Sequence, residues 1–364
     1  MLTALIEHGT VNKMVIYNNT NYELEKIYII SRIIFNWVIS CIYHKMVLYN
    51  NTNKTKGNPK MEETNCRREE GISERYLKIF QKGFHYSQDG RGNRLILHLQ
   101  GCNMKCPWCS NPEGMPPEGV LMTEKEWLRE ECCPEKAVVR GVLDRSVCAG
   151  CRDHACIVDR RQKGIRLSYK TYGIEELVEE CIRSRPMFFD GGGVTLTGGE
   201  IGMQFEAVKE LLRKLGEAGI HRAIESNGSH PGMGELVPYV EQWIMDVKHY
   251  DNEIHWKWVG LSNRQTIENL EKISAVHPDM IVRVPLIPGF NDAPEDAEGF
   301  ADLFERKIKG PHTRVEFLTY HEFGRVKWEQ CGKEYRMPAG HIEPGTVEYF
   351  EKVLTGRGIA CIRT

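Results

Sequence analysis

The stretch Cys102-Asn-Met-Lys-Cys106-Pro-Trp-Cys109 places three cysteines at a Cys-x3-Cys-x2-Cys spacing, shortly after an apolar run at residues 95–99. Three thiolates on one tight loop can bind three irons of a cubane 4Fe–4S cluster and leave the fourth iron without a protein ligand. The alternatives are plain thiols and a zinc ion, which usually has a fourth protein ligand and paired Cys-x2-Cys units. The spacing favours a cluster with one open iron.

Short apolar runs alternate with helical patterns from this loop onward. Candidate strands lie at residues 95–99, 194–197, 223–225, 243–246, 281–286 and 315–318, and candidate helices at residues 173–183, 204–217, 266–276, 293–306 and 345–354. Strands and helices that alternate with crossover-length connections predict βα units and a parallel sheet. Six such strands fit an open or partial barrel better than a closed eight-stranded one.

Each candidate strand ends in a polar or glycine-rich cluster. The first ends in the three-cysteine loop, and later strands lead into TGGE at residues 197–200, ESNG at 225–228, DVKH at 246–249, PLIPGFND at 285–292 and TYHEFG at 319–324. Functional groups of parallel α/β folds collect at the carboxyl ends of the strands, so these clusters are predicted to line one pocket.

The Thr-Gly-Gly-Glu segment suggests what that pocket binds. Its glycines allow the backbone to approach a ligand closely, and the Glu200 carboxylate can accept a hydrogen bond from an ammonium group. An open iron can bind the amino and carboxylate groups of S-adenosylmethionine (SAM), and one electron from the cluster can then cleave SAM to a 5′-deoxyadenosyl radical. Gly-Gly-Glu alone is more often a turn, but behind the cluster loop it favours a radical SAM enzyme.

A second group of cysteines interrupts the strand–helix pattern at residues 111–168. Cys132-Cys133-Pro134 resembles the tail of a ferredoxin motif, and Cys148-x2-Cys151-x4-Cys156 resembles its head. We predict an insertion with one auxiliary 4Fe–4S cluster on Cys148, Cys151, Cys156 and one of Cys132 or Cys133. A structural zinc is the alternative. The cysteines that match no ligand spacing are interpreted as ordinary thiols, namely Cys41, Cys66, Cys181, Cys331 and Cys361.

Composition limits the other function classes. The 364 residues carry 48 Lys and Arg against 50 Asp and Glu, a formal net charge of −2, which gives no reason to expect nucleic-acid binding. Clustered cysteines without an obvious secretory leader indicate a reducing compartment, so a cytoplasmic location is predicted. The apolar residues 27–43 are short for a membrane span and are interrupted by Arg32 and Asn36, so no membrane association is predicted.

The first 60 residues contain no candidate site. Residues 13–21 read KMVIYNNTN and residues 45–53 read KMVLYNNTN, and two copies are too few for a stacked repeat fold. We expect either a disordered or appended extension, or translated upstream DNA with the working protein starting near Met46 or Met61.

The motifs together resemble the activating enzymes of glycyl-radical enzymes, the group that includes pyruvate formate-lyase activating enzyme. The resemblance covers about residues 84–362. The matching segments are DGRGNR at residues 89–94, QGC at 100–102, WCSNPE at 108–113, TGGE, ESNG, DVK at 246–248, VRVPLIPG at 282–289 and YHEFG at 320–324. This resemblance implies a partial (β/α)6 radical SAM barrel formed by residues 61–110 and 169–364, with residues 111–168 as the Cys-rich, ferredoxin-like insertion.

The resemblance also implies the reaction and its partners. The deoxyadenosyl radical would remove a hydrogen from a glycine Cα of a large glycyl-radical enzyme, and flavodoxin or ferredoxin would supply the electron. One departure from the family pattern concerns Ile201-Gly202, where the family often has Pro directly after Gly-Gly-Glu. This departure makes the turn less rigid.

Individual residues take roles by the same resemblance. The methionine amino group of SAM would be held by Gly198, Gly199 and Glu200, and Trp108 would lie near the adenine. The carboxylate or ribose of SAM would be contacted by Ser226, Asp246, Lys248 and His321.

Two other functions compete with this prediction. One is a radical SAM enzyme that acts on a small molecule or RNA, which the Ser-Asn-Pro after Cys109 and the Tyr-His-Glu-Phe-Gly segment argue against. The other is a ferredoxin-like electron carrier or zinc interaction module, in which the TGGE, ESNG and DVK segments would have no purpose. The sequence does not name the glycyl-radical enzyme that would be activated.

Overall fold

A computed structural model of the chain describes residues 75–364, except residues 87, 152 and 153. The expected N-terminal extension of residues 1–60 and the apolar residues 27–43 lie outside the described residues. No helix in the described ranges is long and apolar enough to cross a membrane.

The described part contains strands and helices in alternation. The strands are β1 (Tyr76–Tyr86), β2 (Asn93–Leu99), β3 (Leu121–Thr123), β4 (Val138–Val139), β5 (Val142–Leu143), β6 (Ile165–Leu167), β7 (Lys170–Gly173), β8 (Gly193–Gly198), β9 (Arg222–Ser226), β10 (Gln242–Asp246), β11 (Met280–Leu286), β12 (Thr313–Thr319) and β13 (Cys361–Ile362). The α-helices are α1 (Arg145–Ala149), α2 (Ala155–Val158), α3 (Ile174–Arg183), α4 (Phe205–Glu217), α5 (Asn252–Val259), α6 (Arg264–Ser274), α7 (Pro294–Lys307), α8 (Arg325–Gln330) and α9 (Pro344–Gly356).

Nine of the strands form one mixed sheet in the order β13-β12-β11-β10-β9-β8-β2-β1-β7. Every neighbouring pair from β2 through β8 to β13 is parallel, whereas β1 runs antiparallel to both β2 and β7. The six predicted strands correspond to β2 and β8 to β12, and their predicted parallel pairing is confirmed. The sheet therefore brings the carboxyl ends of these strands to one edge, as expected of a radical SAM α/β fold.

The five predicted helices are also confirmed, as α3, α4, α6, α7 and α9. In α4, Leu211, Leu212 and Leu215 are completely buried, because their spacing places them on the helix face that packs on the sheet. No sequence pattern had predicted β1, β7, β13, α5 or α8. The β1 sequence YLKIFQKGFHY carries two lysines and a glycine, so its apolar alternation is weak even though Leu77 and Ile79 are buried.

The cysteine-rich residues 111–168 form two small two-stranded sheets, β3 with β6 and β4 with β5, around a separate cluster of buried residues. That cluster consists of Leu128, Ala137, Val138, Leu143, Cys156 and Ile165. The helices here are short, and the predicted lack of a regular strand–helix pattern agrees with what is observed.

Candidate active site

The three-cysteine loop follows β2 and is fixed by backbone hydrogen bonds. The N–H of Cys102 donates to the carbonyl of Met115 at 2.9 Å, and the N–H of Lys105 donates to the carbonyl of Val259 at 2.9 Å. The indole Nε1 of Trp328, on α8, donates to the Cys109 carbonyl at 2.9 Å. Three distant parts of the chain therefore hold the loop in its conformation.

A cavity of about 270 Å³ opens beside this loop at the carboxyl edge of the sheet. It brings together the residues predicted for the three-cysteine loop and for SAM binding, except Glu200, whereas the five cysteines of the insertion do not line it. Those that line it are Cys102, Cys106, Trp108, Cys109, Gly198, Gly199, Ser226, Asp246, Lys248 and His321. Residues that lie far apart in the sequence thus converge on one space, as the strand-end argument predicts.

The Glu200 side chain is the exception, because it does not line the cavity. Its Oε1 accepts hydrogen bonds from Ser226 Oγ at 2.8 Å and the Gly202 N–H at 2.9 Å, and its Oε2 accepts from the Asn227 N–H at 2.8 Å. Burial raises the pKa of Glu200, and these three donors oppose that rise. The carboxylate ties the turn after β8 to the turn after β9, and in this conformation it is not offered to a ligand.

The two glycines before Glu200 are required by close backbone contacts. Gly198 has φ +118°, and a Cβ there would lie 2.4 Å from the Leu99 nitrogen. A Cβ on Gly199 would lie 2.2 Å from the Gly101 carbonyl oxygen. Only glycine allows the turn after β8 to pack this closely against the start of the cysteine loop.

An ion pair projects into the cavity from the end of β10. Lys248 Nζ lies 3.0 Å from Asp246 Oδ2, and both side chains are largely buried. Burial alone would lower the pKa of Lys248, but the neighbouring Asp246 carboxylate opposes it, and the pKa is raised. Lys248 therefore keeps its positive charge beside the cysteine loop.

A second charged group borders the cavity, which Asp89 and Glu225 line, and it centres on the buried Arg283. Its guanidinium donates to Glu225 Oε1 and Glu316 Oε2, each at 2.7 Å, and lies 3.6 Å from Asp89 Oδ1. Burial and then Glu225 raise the pKa of Asp89 to about 7, while Arg283 opposes the rise. The Arg283 side chain is only 4% exposed, so this charged group is buried.

Sequence reasoning gave no role to two further residues in the cavity lining, Asp89 and His98. Asp89 opens the DGRGNR segment, and that motif was the available signal. His98 is part of β2, and its Nδ1 is buried without a hydrogen-bond partner among the described residues. Burial lowers the pKa of His98 to about 4, so the ring is neutral.

An aromatic group covers one side of the cavity. The ring of Trp108 lies 4.7 Å from that of Phe290 and 6.1 Å from that of Trp258, measured between centroids. Trp108 is only 7% exposed, so it belongs to the core while it also contributes to the lining. Its position beside the cysteine loop suits contact with a planar ligand ring.

The residues present fit a cluster with three protein ligands. Burial raises the pKa of all three thiols, that of Cys109 to about 12, so without a metal they are protonated and metal binding must release their protons. Within the described ranges, no three His, Cys, Asp or Glu side chains are close enough to hold a single metal ion, so the three thiols would each bind a different iron of a cubane.

In the insertion, one of the two candidate cysteines joins the others. Burial raises the pKa of Cys148 and Cys156, and the neighbouring thiols raise it further, with Cys133 first among them. Cys151 is also close enough to contribute. Cys132 instead lies beside Asp159, which raises its pKa in addition to burial. The structure thus groups Cys133 with Cys148, Cys151 and Cys156, and it leaves Cys132 apart.

Helix α8 connects the two cysteine regions. The Gln330 carbonyl accepts hydrogen bonds from Arg145 Nη2 at 2.9 Å and from Thr123 Oγ1 at 3.2 Å, both of which belong to the insertion. From the same helix, Lys327 Nζ donates to Asn111 Oδ1 at 2.7 Å, two residues beyond Cys109. The insertion is therefore attached directly to the element that holds the three-cysteine loop.

Known proteins are similar in sequence to this chain over most of its length. Residues 154–304 match the Radical SAM superfamily. The chain is 34% identical over 301 residues to the (2S)-3-sulfopropanediol dehydratase activating enzyme of Klebsiella oxytoca, which covers 75% of this chain and 92% of that relative. It is 30% identical over 291 residues to the 4-hydroxyphenylacetate decarboxylase activating enzyme of Clostridioides difficile (strain 630), which covers 75% of this chain and 91% of that relative.

One solved structure that resembles this chain is a domain of pyruvate-formate lyase-activating enzyme from Bacteroides vulgatus ATCC 8482. The two superpose with a TM-score of 0.40 and 22% sequence identity, over 48% of this chain and 99% of that one. That score is too low to carry an inference. The matches to the sequence relatives cover nearly the full length of those relatives, and they confirm the family that the motifs predicted. The chain therefore belongs to the glycyl-radical-enzyme activating enzymes of the radical SAM superfamily, which use a 4Fe–4S cluster and SAM.

Proposed function

We propose that this protein cleaves SAM reductively and removes a hydrogen from a glycine Cα of a partner glycyl-radical enzyme. The convergence of Cys102, Cys106 and Cys109 with the Gly-Gly turn and the Asp246–Lys248 pair on one cavity is the observation that carries this proposal. When bound there, the cluster and SAM supply the one-electron cleavage that produces a 5′-deoxyadenosyl radical. Neither the small-molecule nor the RNA alternative is favoured by the relatives.

The residues of the chain divide the binding of the cofactors among them. The three thiolates would hold three irons, and the backbone of Gly198 and Gly199 would face the methionine amino group. The Lys248 ammonium, kept charged by Asp246, would attract the methionine carboxylate. Ser226 and His321 would contact the carboxylate or ribose, and Trp108 would lie against the adenine.

Glu200 takes a different part in this proposal. Because its carboxylate already accepts three hydrogen bonds from Ser226, Asn227 and Gly202, it would position the SAM-binding turns. It would contact the amino group only after one of those bonds is exchanged.

The architecture around the site completes the proposal. Residues 61–110 and 169–364 would form a partial (β/α)6 barrel, and residues 111–168 would be a ferredoxin-like insertion with one auxiliary 4Fe–4S cluster. Its ligands would be Cys133, Cys148, Cys151 and Cys156, since these four thiols lie together. Flavodoxin or ferredoxin would donate the electron, and neither nucleic acid nor a membrane would take part.

The test uses anaerobically reconstituted protein, SAM, a chemical reductant and each glycyl-radical enzyme encoded in the same genome. We expect 5′-deoxyadenosine to form and one of these enzymes to acquire a glycyl radical, detected by electron paramagnetic resonance. Cleavage of SAM without a radical on any of these enzymes would contradict the proposed substrate and leave the cofactor chemistry standing.

A further inference from the structure

A second cavity, of about 580 Å³, lies between β12 and the segment that leads into α9. We call it the β12 groove. Its floor is the end of β12 at Phe317, Leu318 and Thr319, and its opposite wall includes Ile342 and Val347. Leu318 is 37% exposed, so an apolar side chain at this strand end is open to solvent.

The groove lies along an incompletely paired strand edge. On one side β12 pairs with β11 over its whole length, from Thr313 to Thr319. On the other side β13 pairs only with Val315 and Glu316. Among the described residues, the end of β12 beyond Glu316 has no partner strand on this edge, so it can accept another extended chain.

Thr364, two residues beyond β13, does not continue this pairing. The backbone N–H of Thr364 donates to the side-chain Oε1 of Glu316 at 3.1 Å, and the Thr364 hydroxyl donates to the same oxygen. A side-chain carboxylate thus holds Thr364, and no strand among the described residues lies beside Thr319 on this edge.

The β12 groove is continuous with the candidate active site. Leu318, Thr319 and Tyr320 line both the groove and the cavity that contains the three cysteines. An extended polypeptide seated along the end of β12 would therefore point directly into the space where the radical forms.

We infer that the β12 groove binds the glycine-bearing segment of the partner enzyme, by adding that segment as a strand to the open edge of β12. This inference rests on the proposed function. The target glycine has no side chain, so only its backbone can be recognised, and a free strand edge recognises backbone. The apolar wall at Ile342 and Val347 would accept a neighbouring side chain of the segment, since alternate side chains of a strand point to one face.

The wild-type protein is first tested for radical formation on each candidate partner enzyme. If no partner acquires a glycyl radical, the proposed function fails before any variant is made. Val347→Arg then places a charge in the groove, and Tyr349→Arg is the matched control. Tyr349 lies two residues further on the same helix, is 41% exposed and does not line the groove. SAM cleavage without partner reports whether each variant is folded and loaded.

We expect Val347→Arg to raise the KM for the partner enzyme by about tenfold or more while SAM cleavage without partner stays unchanged. Tyr349→Arg should leave both values unchanged. An unchanged KM in Val347→Arg with intact SAM cleavage would overturn the inference. If the buried charge abolishes both activities, the variant is not folded and hydrogen exchange of the wild-type protein decides.

Hydrogen exchange of the wild-type holoprotein gives a second readout that needs no substitution. Saturating partner should slow exchange of the Thr319 amide, which faces the same edge of β12 as the Val315 N–H that donates to the Ala360 carbonyl. No change on adding partner would overturn the inference. If the amide already exchanges slowly without partner, the inference is also overturned, because another part of this chain would then occupy the groove.

Discussion

The loop of residues 102–109 and the insertion of residues 111–168 both carry cysteines, but they differ in how they are held. Cys106 and Trp108 belong to the large core that the nine-stranded sheet shares with its helices. The insertion has a core of only six buried residues and strands of two or three residues. A core that small contributes little free energy of folding, so the insertion is the region that a bound metal would stabilise most.

This difference indicates two ways to build a cluster site. Backbone hydrogen bonds and the Trp328 indole of α8 hold the backbone of the three-cysteine loop, so this backbone is expected to be ordered before a cluster binds. In the insertion, folding and metal binding are expected to be coupled. The following predictions test that contrast, beginning with the largest effect.

The largest effect is expected from the three-cysteine loop. Cys102→Ala, Cys106→Ala or Cys109→Ala should each abolish SAM cleavage, because three ligands are the minimum that holds a cubane with one open iron. The protein should still fold, since the surrounding core is large. Cleavage is measured as 5′-deoxyadenosine under reductant, with Cys181→Ala as a control at a completely buried thiol outside both sites. A double variant of the loop that still cleaves SAM would refute the ligand assignment.

Replacing Cys148 and Cys151 together with Ala should remove one cubane, about four iron atoms per chain. Activity on the partner should fall more than SAM cleavage with a chemical reductant, because the auxiliary cluster would pass electrons inward or order the docking surface. Limited proteolysis should cut within residues 111–168 sooner than in wild type. Iron and zinc are measured on both proteins after anaerobic reconstitution, and unchanged iron with lost zinc would support the zinc alternative.

A smaller, purely structural effect is expected at Glu200. Glu200→Ala leaves the donors of Ser226, Asn227 and Gly202 unpaired in the interior and should lower the free energy of unfolding by about 2–3 kcal/mol. The loss should appear in denaturant unfolding of the metal-free protein, since it does not depend on the cofactors. Glu206→Ala, at an exposed position on α4, serves as the control and should change little.

The smallest effect concerns pH and Asp89. Burial, and next Glu225, raise its folded pKa to about 7, above the unfolded value, so the folded state binds more protons between about pH 4 and pH 7. Stability is therefore lost as the pH rises through this window. From about pH 5 to pH 8 the free energy of unfolding of wild type should fall by about 1–2 kcal/mol more than that of Asp89→Asn. Equal pH slopes would show that Asp89 does not carry the proton.

Sequence alone determined the elements and the type of chemistry. The apolar runs of β2 and β8 to β12 and the helical periodicity of α4 are local patterns, and the elements they predicted are confirmed. The Cys-x3-Cys-x2-Cys spacing is also a local pattern, and it pointed to the radical SAM superfamily that the relatives confirm. Gly198, Ser226, Asp246 and His321 line one cavity, as their positions at strand ends predicted. Parallel strands bring their carboxyl ends together whatever the intervening sequence.

Only the tertiary structure decided which polar groups partner one another. The spacing does not show that Glu200 accepts hydrogen bonds from the turn after β9, that Arg283 is buried between Glu225 and Glu316, or that Cys133 rather than Cys132 joins the insertion thiols. Each outcome depends on contacts between residues distant in sequence. Chain periodicity sets the face on which a side chain lies, whereas packing and the need to pair buried charge set its partner.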